Sequence, residues 1–223
     1  MTDTIQPELE TQWRTKPTDR FVLKWIKCHL SARITPHLVR WPWVRPWQIT
    51  LTSAVLGCLG GVVFGLGFGF PAGLLAAAAQ ILDGVDGQFA RLTGRVSRGG
   101  AFWDSVLDRY ADGAMVIGLV VYLIRLPAPI SPGFVIFLGA LALIGGNLIS
   151  YSSARAEALG LDLGRPTLAS KGTRSSVMIV CAMLSAVRAD LPLAALVYLV
   201  LHPNFVIAIR LIKTAKSSPV QPE

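Results

Sequence analysis

The chain has 223 residues, of which 52% are hydrophobic and 15% are charged, and its mean hydropathy is +0.54. These values place it among integral membrane proteins and exclude an ordinary soluble domain. The formal net charge of +8 does not indicate a nucleic-acid-binding protein, because the basic residues flank long apolar segments instead of clustering on a polar domain. Such residues are expected to meet the anionic head groups of membrane lipids.

Two polar segments precede the apolar part of the chain. Residues 1–15 are polar, and we expect them to be disordered. Residues 16–45 combine aromatic and aliphatic side chains with many basic ones, which is too much charge for a membrane span but is typical of an amphipathic helix lying at the membrane surface. Trp41, Trp43 and Trp47 follow where an aromatic belt would anchor the first span.

The next part of the chain, residues 46–213, is predicted to be a membrane domain of six transmembrane helices, since a helix needs about 20 apolar residues to cross a bilayer. The apolar segments cover residues 49–70, 71–92, 101–124, 132–156, 174–187 and 191–212. The fifth is short, and we expect its helix to begin before Arg174. The sequence therefore predicts an all-α integral membrane protein with a preceding interfacial helix and a flexible tail over residues 214–223.

The distribution of basic residues predicts the orientation of these spans. With six spans, both termini and the loops at 92–100 and 157–173 lie on one side, together with every lysine and arginine except Arg125 and Arg188. The positive-inside rule makes this side cytoplasmic. We therefore expect a multi-pass protein of a bacterial or archaeal-type cell membrane, with both termini and the active site in the cytoplasm.

Carboxylates inside the second and third predicted spans are the main functional signal. Asp83 and Asp86 are three residues apart and Asp104 and Asp108 four apart, so each pair projects from one face of its helix. The short connection makes the helices antiparallel neighbours, so the pairs can face each other. A charged group inside a membrane costs about 2.5–3.5 kcal/mol on insertion scales. Four carboxylates together attract hard divalent cations, and two such metals about 3.5–4 Å apart suit phosphoryl transfer.

Two other interpretations of these acids remain open from the residues alone. The acids could line the ion path of a cation or proton transporter, or they could form salt bridges with Arg91, Arg95, Arg98 and Arg109. The small residues between the acids favour a ligand site, because they let a ligand approach the backbone. A fifth acid, Asp112, is expected to pair with a nearby arginine.

The four aspartates belong to a longer motif, Asp83-x-x-Asp86-Gly87-x-x-Ala90-Arg91, then eight residues, then Gly100-x-x-x-Asp104-x-x-x-Asp108. This motif resembles the complete signature of the CDP-alcohol phosphotransferases, and the six predicted spans resemble that family too. The resemblance implies a membrane transferase that moves a phospho-alcohol group, such as phosphatidyl, from a CDP-alcohol to the hydroxyl of an acceptor and releases CMP. CDP-diacylglycerol is the expected donor, and a homodimer is the expected assembly.

The same resemblance implies a role for each position of the motif. Asp83, Asp86 and Asp104 would ligate two divalent metal ions, with Mg²⁺ preferred and Mn²⁺ as the alternative. Asp108 would ligate a metal or act as the general base that takes the proton of the acceptor. The CDP pocket would be formed by Asp83, Gly87, Ala90, Arg91 and Gly100.

A second resemblance concerns the acceptor and lies in the stretch Ser150-Tyr151-x-x-Ala154-Arg155-Ala156-Glu157-Ala158-x-Gly160. This stretch is similar to the end of the fourth helix in family members that accept inositol phosphate. Those members usually carry an acidic-basic repeat before the fifth helix, where this chain has Ser170-Lys171-Gly172-Thr173-Arg174.

Three basic residues in this region, Arg155, Lys171 and Arg174, are candidate ligands of the acceptor. They would lie near the aspartates and could hold an anionic acceptor. They could equally be basic residues at the membrane surface that meet lipid head groups. A phosphatidylglycerolphosphate-type or other phospholipid synthase, with a different acceptor, is therefore the alternative within the family.

Overall fold

A computed structural model describes residues 13–15, 21–127, 130–163 and 170–215, and every regular element among them is helical. The first elements are α1 (Phe21–Ile26), a π-helical stretch (Lys27–Ser31) and α2 (Ala32–Val39). The longer helices are α3 (Pro46–Gly65), α4 (Gly69–Leu92), α5 (Arg98–Arg125), α6 (Pro132–Ala158), α7 (Lys171–Leu184) and α8 (Pro192–Ala215). The all-α prediction is confirmed. Most of the terminal segments predicted to be disordered or flexible, 1–15 and 214–223, lies outside the described residues.

Among the long helices, α3 differs most from its predicted segment, since it covers Pro46–Gly65 and the apolar segment covers residues 49–70. The helix begins at Pro46, a residue whose fixed φ suits the first helical turn, and the main-chain N–H of Arg45 donates to Oε1 of Gln48 at 2.7 Å. It ends at Gly65, shortly before Gly67 takes a φ of 103°. Local capping chemistry, rather than the extent of the apolar run, therefore sets both ends.

Three of the long helices, α3, α6 and α8, are long and apolar enough to cross a membrane. Their outer surfaces carry exposed large apolar side chains such as Val62, Phe137 and Leu201. Six spans were predicted, and three helices of the described chain have the length and composition of a span. The helices α4 and α5 carry the charged residues of the motif, and α7 has 14 residues, about 21 Å of helix against a hydrocarbon core of about 30 Å.

The N-terminal helical segment packs along α4. The hydroxyl of Ser31 donates to the carbonyl of Ile81 at 2.8 Å, and that of Thr35 donates to Oε1 of Gln88 at 2.7 Å. The opposite side of the segment exposes Trp25 and basic residues such as Arg33. An amphipathic helix at this position agrees with the sequence pattern.

Contacts between helix ends place the motif at one end of the bundle. The hydroxyl of Thr50 near the start of α3 donates to Asp86 near the end of α4, and Arg210 near the end of α8 donates to the carbonyl of Ile149 in α6 at 2.9 Å. At the other end of the bundle, the hydroxyl of Tyr122 donates to the carbonyl of Ala189 at 3.1 Å. The starts of α3, α5 and α7 and the ends of α4, α6 and α8 therefore meet around the aspartates.

Helices α3 and α5 approach closely at Gly61, which gives a test of the packing. A Cβ at this position would lie 2.9 Å from the main-chain nitrogen of Met115, which cannot move without shifting α5. We expect Gly61→Ala to destabilise the protein by about 1–3 kcal/mol, the usual cost of overpacking, and to lower the melting temperature in detergent. Gly133→Ala is the matched control, because nothing lies within 4 Å of a Cβ there. Equal melting temperatures for the two variants would contradict the close approach.

Candidate active site

Three of the four motif aspartates form one carboxylate cluster. Asp83 of α4 and Asp104 and Asp108 of α5 each offer an oxygen, and these oxygens all lie within 4.8 Å of one another. The spacing of four residues places Asp104 and Asp108 on the same face of α5, and the antiparallel packing of α4 brings Asp83 opposite them. The predicted convergence of the two helices is therefore present for these three side chains.

Lys171, the first residue of α7, reaches into this cluster. Its ammonium group donates to Oδ1 of Asp83 at 2.8 Å and also contacts Oδ1 of Asp108. The cluster thus already binds a positive group, and its oxygens are the ligand type that hard divalent cations take. These residues fit a divalent metal by both charge and donor chemistry.

The fourth aspartate, Asp86, is held separately. Its side chain is 6% exposed, its Oδ2 accepts a hydrogen bond from the hydroxyl of Thr50 at 2.6 Å, and its Oδ1 contacts the main-chain N–H of Gly87. Both Asp86 and Asp104 line a cavity on the side away from Lys171. The sequence did not single out Thr50 as a partner of Asp86, although a hydroxyl in an apolar helix was a usable signal.

This first cavity has a volume of ≈ 670 Å³ and contains most of the predicted CDP pocket. Gly87, Ala90, Arg91 and Gly100 line it, whereas Asp83 faces the carboxylate cluster. Two aromatic residues, Trp47 and Trp103, line the same cavity. We name it the nucleotide cavity, after the CDP pocket that the sequence predicts from these residues.

Gly87 leaves room for the guanidinium group of Arg91 within this cavity. A Cβ at position 87 would lie 3.3 Å from Nη1 of Arg91, and Nε of Arg91 donates to the main-chain carbonyl of Trp13 at 2.9 Å. Residue 13 belongs to the segment that the sequence predicted to be disordered. A main-chain contact of this kind leaves no pattern in side-chain chemistry, which is why sequence reasoning missed it.

A second, smaller cavity of ≈ 90 Å³ lies on the other side of the cluster. We name it the acceptor cavity, after the predicted acceptor ligands Lys171 and Arg174 that line it. Its charged lining residues are Asp108, Asp112, Lys171 and Arg174. Arg174 is 5% exposed and lies 3.3 Å from Asp112, as measured between Nη2 and Oδ2.

Asp112 also lies near Arg109, at 4.0 Å between Oδ2 and Nη2, so its predicted pairing with arginine is confirmed. Arg155 is exposed on the last turns of α6 and is not one of the residues that line the acceptor cavity. The structure therefore brings two of the three candidate acceptor ligands to Asp108.

The salt-bridge interpretation accounts for only part of this region. Arg109 lies 3.8 Å from Asp108 and contacts the hydroxyl of Ser150. The side chains of Arg91 and Arg95, in contrast, donate to the main-chain carbonyls of Trp13 and Val44. Among the arginines predicted to neutralise the acids, Arg109 lies beside Asp108, and Lys171 adds a cation from a helix far away in the sequence.

A comparison with protein-family models matches residues 43–202 to the CDP-alcohol phosphatidyltransferases. The chain is 30% identical over 154 residues to the archaetidylinositol phosphate synthase of Pyrococcus horikoshii, which covers 69% of this chain and 77% of that protein. It is 35% identical over 137 residues to the bifunctional IPC transferase and DIPP synthase of Thermococcus kodakarensis, which covers 61% of this chain but only 30% of that protein.

Solved structures of the phosphatidylinositol phosphate synthase of Mycobacterium tuberculosis share the fold. The structure with CDP-DAG bound has a TM-score of 0.73 and 23% identity, and the match covers 86% of this chain and 99% of that one. The complex with manganese and citrate has a TM-score of 0.74 and 22% identity, with coverage of 87% and 93%.

Proposed function

This chain belongs to the CDP-alcohol phosphatidyltransferase family, and we propose that it transfers the lipid phosphate group of a CDP-activated lipid to inositol phosphate. The reaction releases CMP and yields a lipid that carries inositol phosphate. The observation that carries the choice of acceptor is the acceptor cavity, where Lys171 and Arg174 lie beside Asp108. Cations at this position favour an acceptor that is itself an anion.

One relative, an archaetidylinositol phosphate synthase, supports this choice. The shared fold with a phosphatidylinositol phosphate synthase is consistent with it. The donor is CDP-diacylglycerol or its archaeal ether-lipid counterpart. We propose Arg155, which lies on the last turns of α6, as a further ligand of the acceptor. A phosphatidylglycerolphosphate-type synthase, which would take glycerol phosphate, is the alternative within the same family.

We propose that all six long helices, α3 to α8, cross the membrane, with α1 and α2 at its cytoplasmic surface. Charged residues of α4 and α5 then face the interior of the bundle, where protein groups and metals stabilise them. The end of the bundle that carries the aspartates lies at the cytoplasmic side, as the basic residues predict. The homodimer stays a prediction, and the mass of the detergent-solubilised protein measured by light scattering tests it.

The divalent metal ions are proposed to be held by Asp83, Asp104 and Asp108, with Asp86 as the fourth ligand and Mg²⁺ as the ion used. When bound, such ions neutralise the charge of the diphosphate and of the leaving CMP. The cytidine and diphosphate are proposed to occupy the nucleotide cavity, between Gly87, Arg91 and Gly100.

The position of Asp108, in both the cluster and the lining of the acceptor cavity, supports a role as general base. Its carboxylate takes the proton of the acceptor hydroxyl as that oxygen attacks the phosphorus atom of the donor. The ammonium group of Lys171 holds the Asp108 carboxylate in place from the side of α7. Arg174 orients the phosphate of the acceptor from the floor of the cavity.

Analysis of the products tests this proposal most directly. The purified protein in lipid nanodiscs is given CDP-diacylglycerol or its ether-lipid counterpart with inositol phosphate, glycerol phosphate, serine or free inositol, and the lipids are identified by mass spectrometry. We expect a product with inositol phosphate and none with free inositol, because only the phosphate can bind to the charged groups of Lys171 and Arg174. If only glycerol phosphate gave a product, the acceptor would be glycerol phosphate and the proposed acceptor would be wrong. No CMP release with any acceptor would contradict the transferase itself.

Removal of divalent metal gives a second test. We expect dialysis against EDTA to abolish CMP release, and Mg²⁺ in excess to restore it, because uncompensated charge on the diphosphate opposes the attack. Titration calorimetry should show that Mg²⁺ binds to the dialysed protein. The substitution Asp104→Asn should weaken this binding. Turnover that persists after exhaustive chelation would contradict the proposed metal site.

A further inference from the structure

Two buried glutamines on α4 differ in how their amide groups are used. Gln80 is 7% exposed and Gln88 is 0% exposed. Burying a polar group without a hydrogen-bond partner costs about 1–3 kcal/mol, so each amide needs partners. The two residues lie on the same helix and therefore provide a natural comparison.

All hydrogen-bonding groups of Gln88 are engaged within the protein. Its Nε2 donates to the main-chain carbonyls of Arg14 at 2.8 Å and Lys27 at 2.9 Å, and its Oε1 accepts from the hydroxyl of Thr35 at 2.7 Å. This side chain fastens the N-terminal segment to α4. Its role is structural.

Gln80 uses only half of its amide. Its Nε2 donates to the main-chain carbonyl of Gly172 at 3.3 Å and to the hydroxyl of Ser176 at 3.2 Å, both in α7. A carbonyl oxygen can only accept, so the contact with Gly172 fixes which end of the amide is the nitrogen. The Oε1 atom is then buried, and it accepts no hydrogen bond from the described residues.

The acceptor cavity is the space next to this side chain. Gln80 lines it together with Asp108, Lys171 and Arg174, and the cavity continues along α5 and α7. An oxygen with free lone pairs repels the oxygens of a phosphate but attracts the hydrogen of a hydroxyl group. The lining of the cavity therefore contains cations for a phosphate and, in Gln80, an amide whose acceptor oxygen is unused within the described residues.

We infer that Oε1 of Gln80 accepts a hydrogen bond from a non-reacting hydroxyl of the acceptor alcohol, and that Gln80 thereby selects an acceptor with several hydroxyl groups. This inference rests on the proposed function, since it adds a specificity-determining residue to the same site. A site built to bind a hydroxyl discriminates against an analogue that lacks it, because the buried protein group is then left without a partner. Gln80 thus distinguishes a polyol phosphate from a simple alcohol phosphate.

The test is the variant Gln80→Met, which keeps the length of the side chain and removes the amide. Inositol phosphate and a series of analogues that each lack one hydroxyl are compared with the wild type and the variant. In the wild type, we expect one analogue to show a kcat/KM about 3- to 10-fold lower than inositol phosphate, the effect of one hydrogen bond. In the variant, that analogue and inositol phosphate should have equal kcat/KM, while KM for the CDP-lipid is unchanged.

The control variant is Gln88→Met, which loses a buried amide on the same helix outside the cavity. It should lower the melting temperature but keep the discrimination between inositol phosphate and the analogue. If Gln80→Met lowered kcat/KM by the same factor for every analogue, Gln80 would have only a structural role and the inference would be wrong. Should that variant not fold, Gln80→Leu, which removes the amide with a smaller apolar side chain and adds no charge, must lose the discrimination in the same way.

Failure of the proposed acceptor is distinguishable from failure of this inference. If the wild type uses another polyol phosphate, the same comparison is made with that acceptor and its deoxy analogues. If the wild type uses glycerol phosphate, its second hydroxyl is the one tested, by comparison with the phosphate of a diol that lacks it. If no deoxy analogue differs from its parent in the wild type, Oε1 binds no hydroxyl of the acceptor.

Discussion

Replacing Asp108 by asparagine is expected to reduce CMP release by about 10²–10⁴-fold, the usual contribution of a positioned general base. The substitution keeps the shape of the side chain and removes its charge and its ability to take a proton. Asp108 belongs both to the carboxylate cluster and to the lining of the acceptor cavity, which is the proposed position of the acceptor hydroxyl. Turnover of CDP-diacylglycerol with inositol phosphate, followed as released CMP, measures the loss.

Asp190→Asn is the control for this prediction. Asp190 is exposed and pairs with Arg188 at 2.6 Å, in the turn between α7 and α8 at the opposite end of the bundle. Its replacement should leave turnover unchanged. Activity of Asp108→Asn within tenfold of the wild type, in protein with an unchanged melting temperature, would contradict the role of Asp108 as base.

The position of Asp104 relative to Asp108 fits the proposed binding of two substrates on either side of the cluster. Asp104 lines the nucleotide cavity and Asp108 the acceptor cavity, while one oxygen of each lies within 4.8 Å of the other. The two cavities therefore meet at adjacent turns of α5. A group transferred between ligands in these cavities travels only the distance between two neighbouring carboxylates, which favours direct transfer over a longer route.

The spacing within α4 and α5 was enough to predict this arrangement. Residues four apart on one helix share a face whatever the rest of the chain does. The short loop between α4 and α5 makes these two helices antiparallel neighbours. The sequence also placed Lys171 near the aspartates, but as a ligand of the acceptor. Its direct contact with Asp108 could not be predicted, because Lys171 lies 63 positions away and the packing of α7 depends on every helix between them. Thr50 and the carbonyl of Trp13 were missed for the same reason, since each acts from a distant segment.

The membrane spans show the corresponding limit for the fold. Apolar length identified α3, α6 and α8, whose surfaces are apolar enough to meet lipid. It is a weaker guide to α4 and α5, because helices that carry a catalytic site give up apolar residues for charged ones that only tertiary contacts stabilise. Gln80 illustrates the same point, since a lone glutamine in an apolar run says nothing about which half of its amide is used.

Replacing Lys171 by methionine is expected to lower the free energy of unfolding by about 1.5–3 kcal/mol when divalent metal is absent, the usual contribution of hydrogen bonds to charged groups, because the ion pair is only partly buried. The ammonium group lies 2.8 Å from Asp83 and also contacts Asp108, so its loss leaves two carboxylates facing each other without a counter-charge. The melting temperature in detergent with EDTA measures this effect. Lys24→Met is the control, because Lys24 is exposed on α1, and it should melt like the wild type.

Two further measurements separate this electrostatic cause from a loss of packing. Saturating Mg²⁺ should raise the melting temperature of Lys171→Met more than that of the wild type, since it supplies the missing positive charge to the same oxygens. The double variant Lys171→Met, Asp83→Asn should recover part of the lost stability, because one of the two unpaired charges is gone. If Asp83→Asn and Lys171→Met were instead additive in their cost, the ammonium group would not be what stabilises these carboxylates, and Lys171 would contribute only through the packing of its alkyl chain at the start of α7.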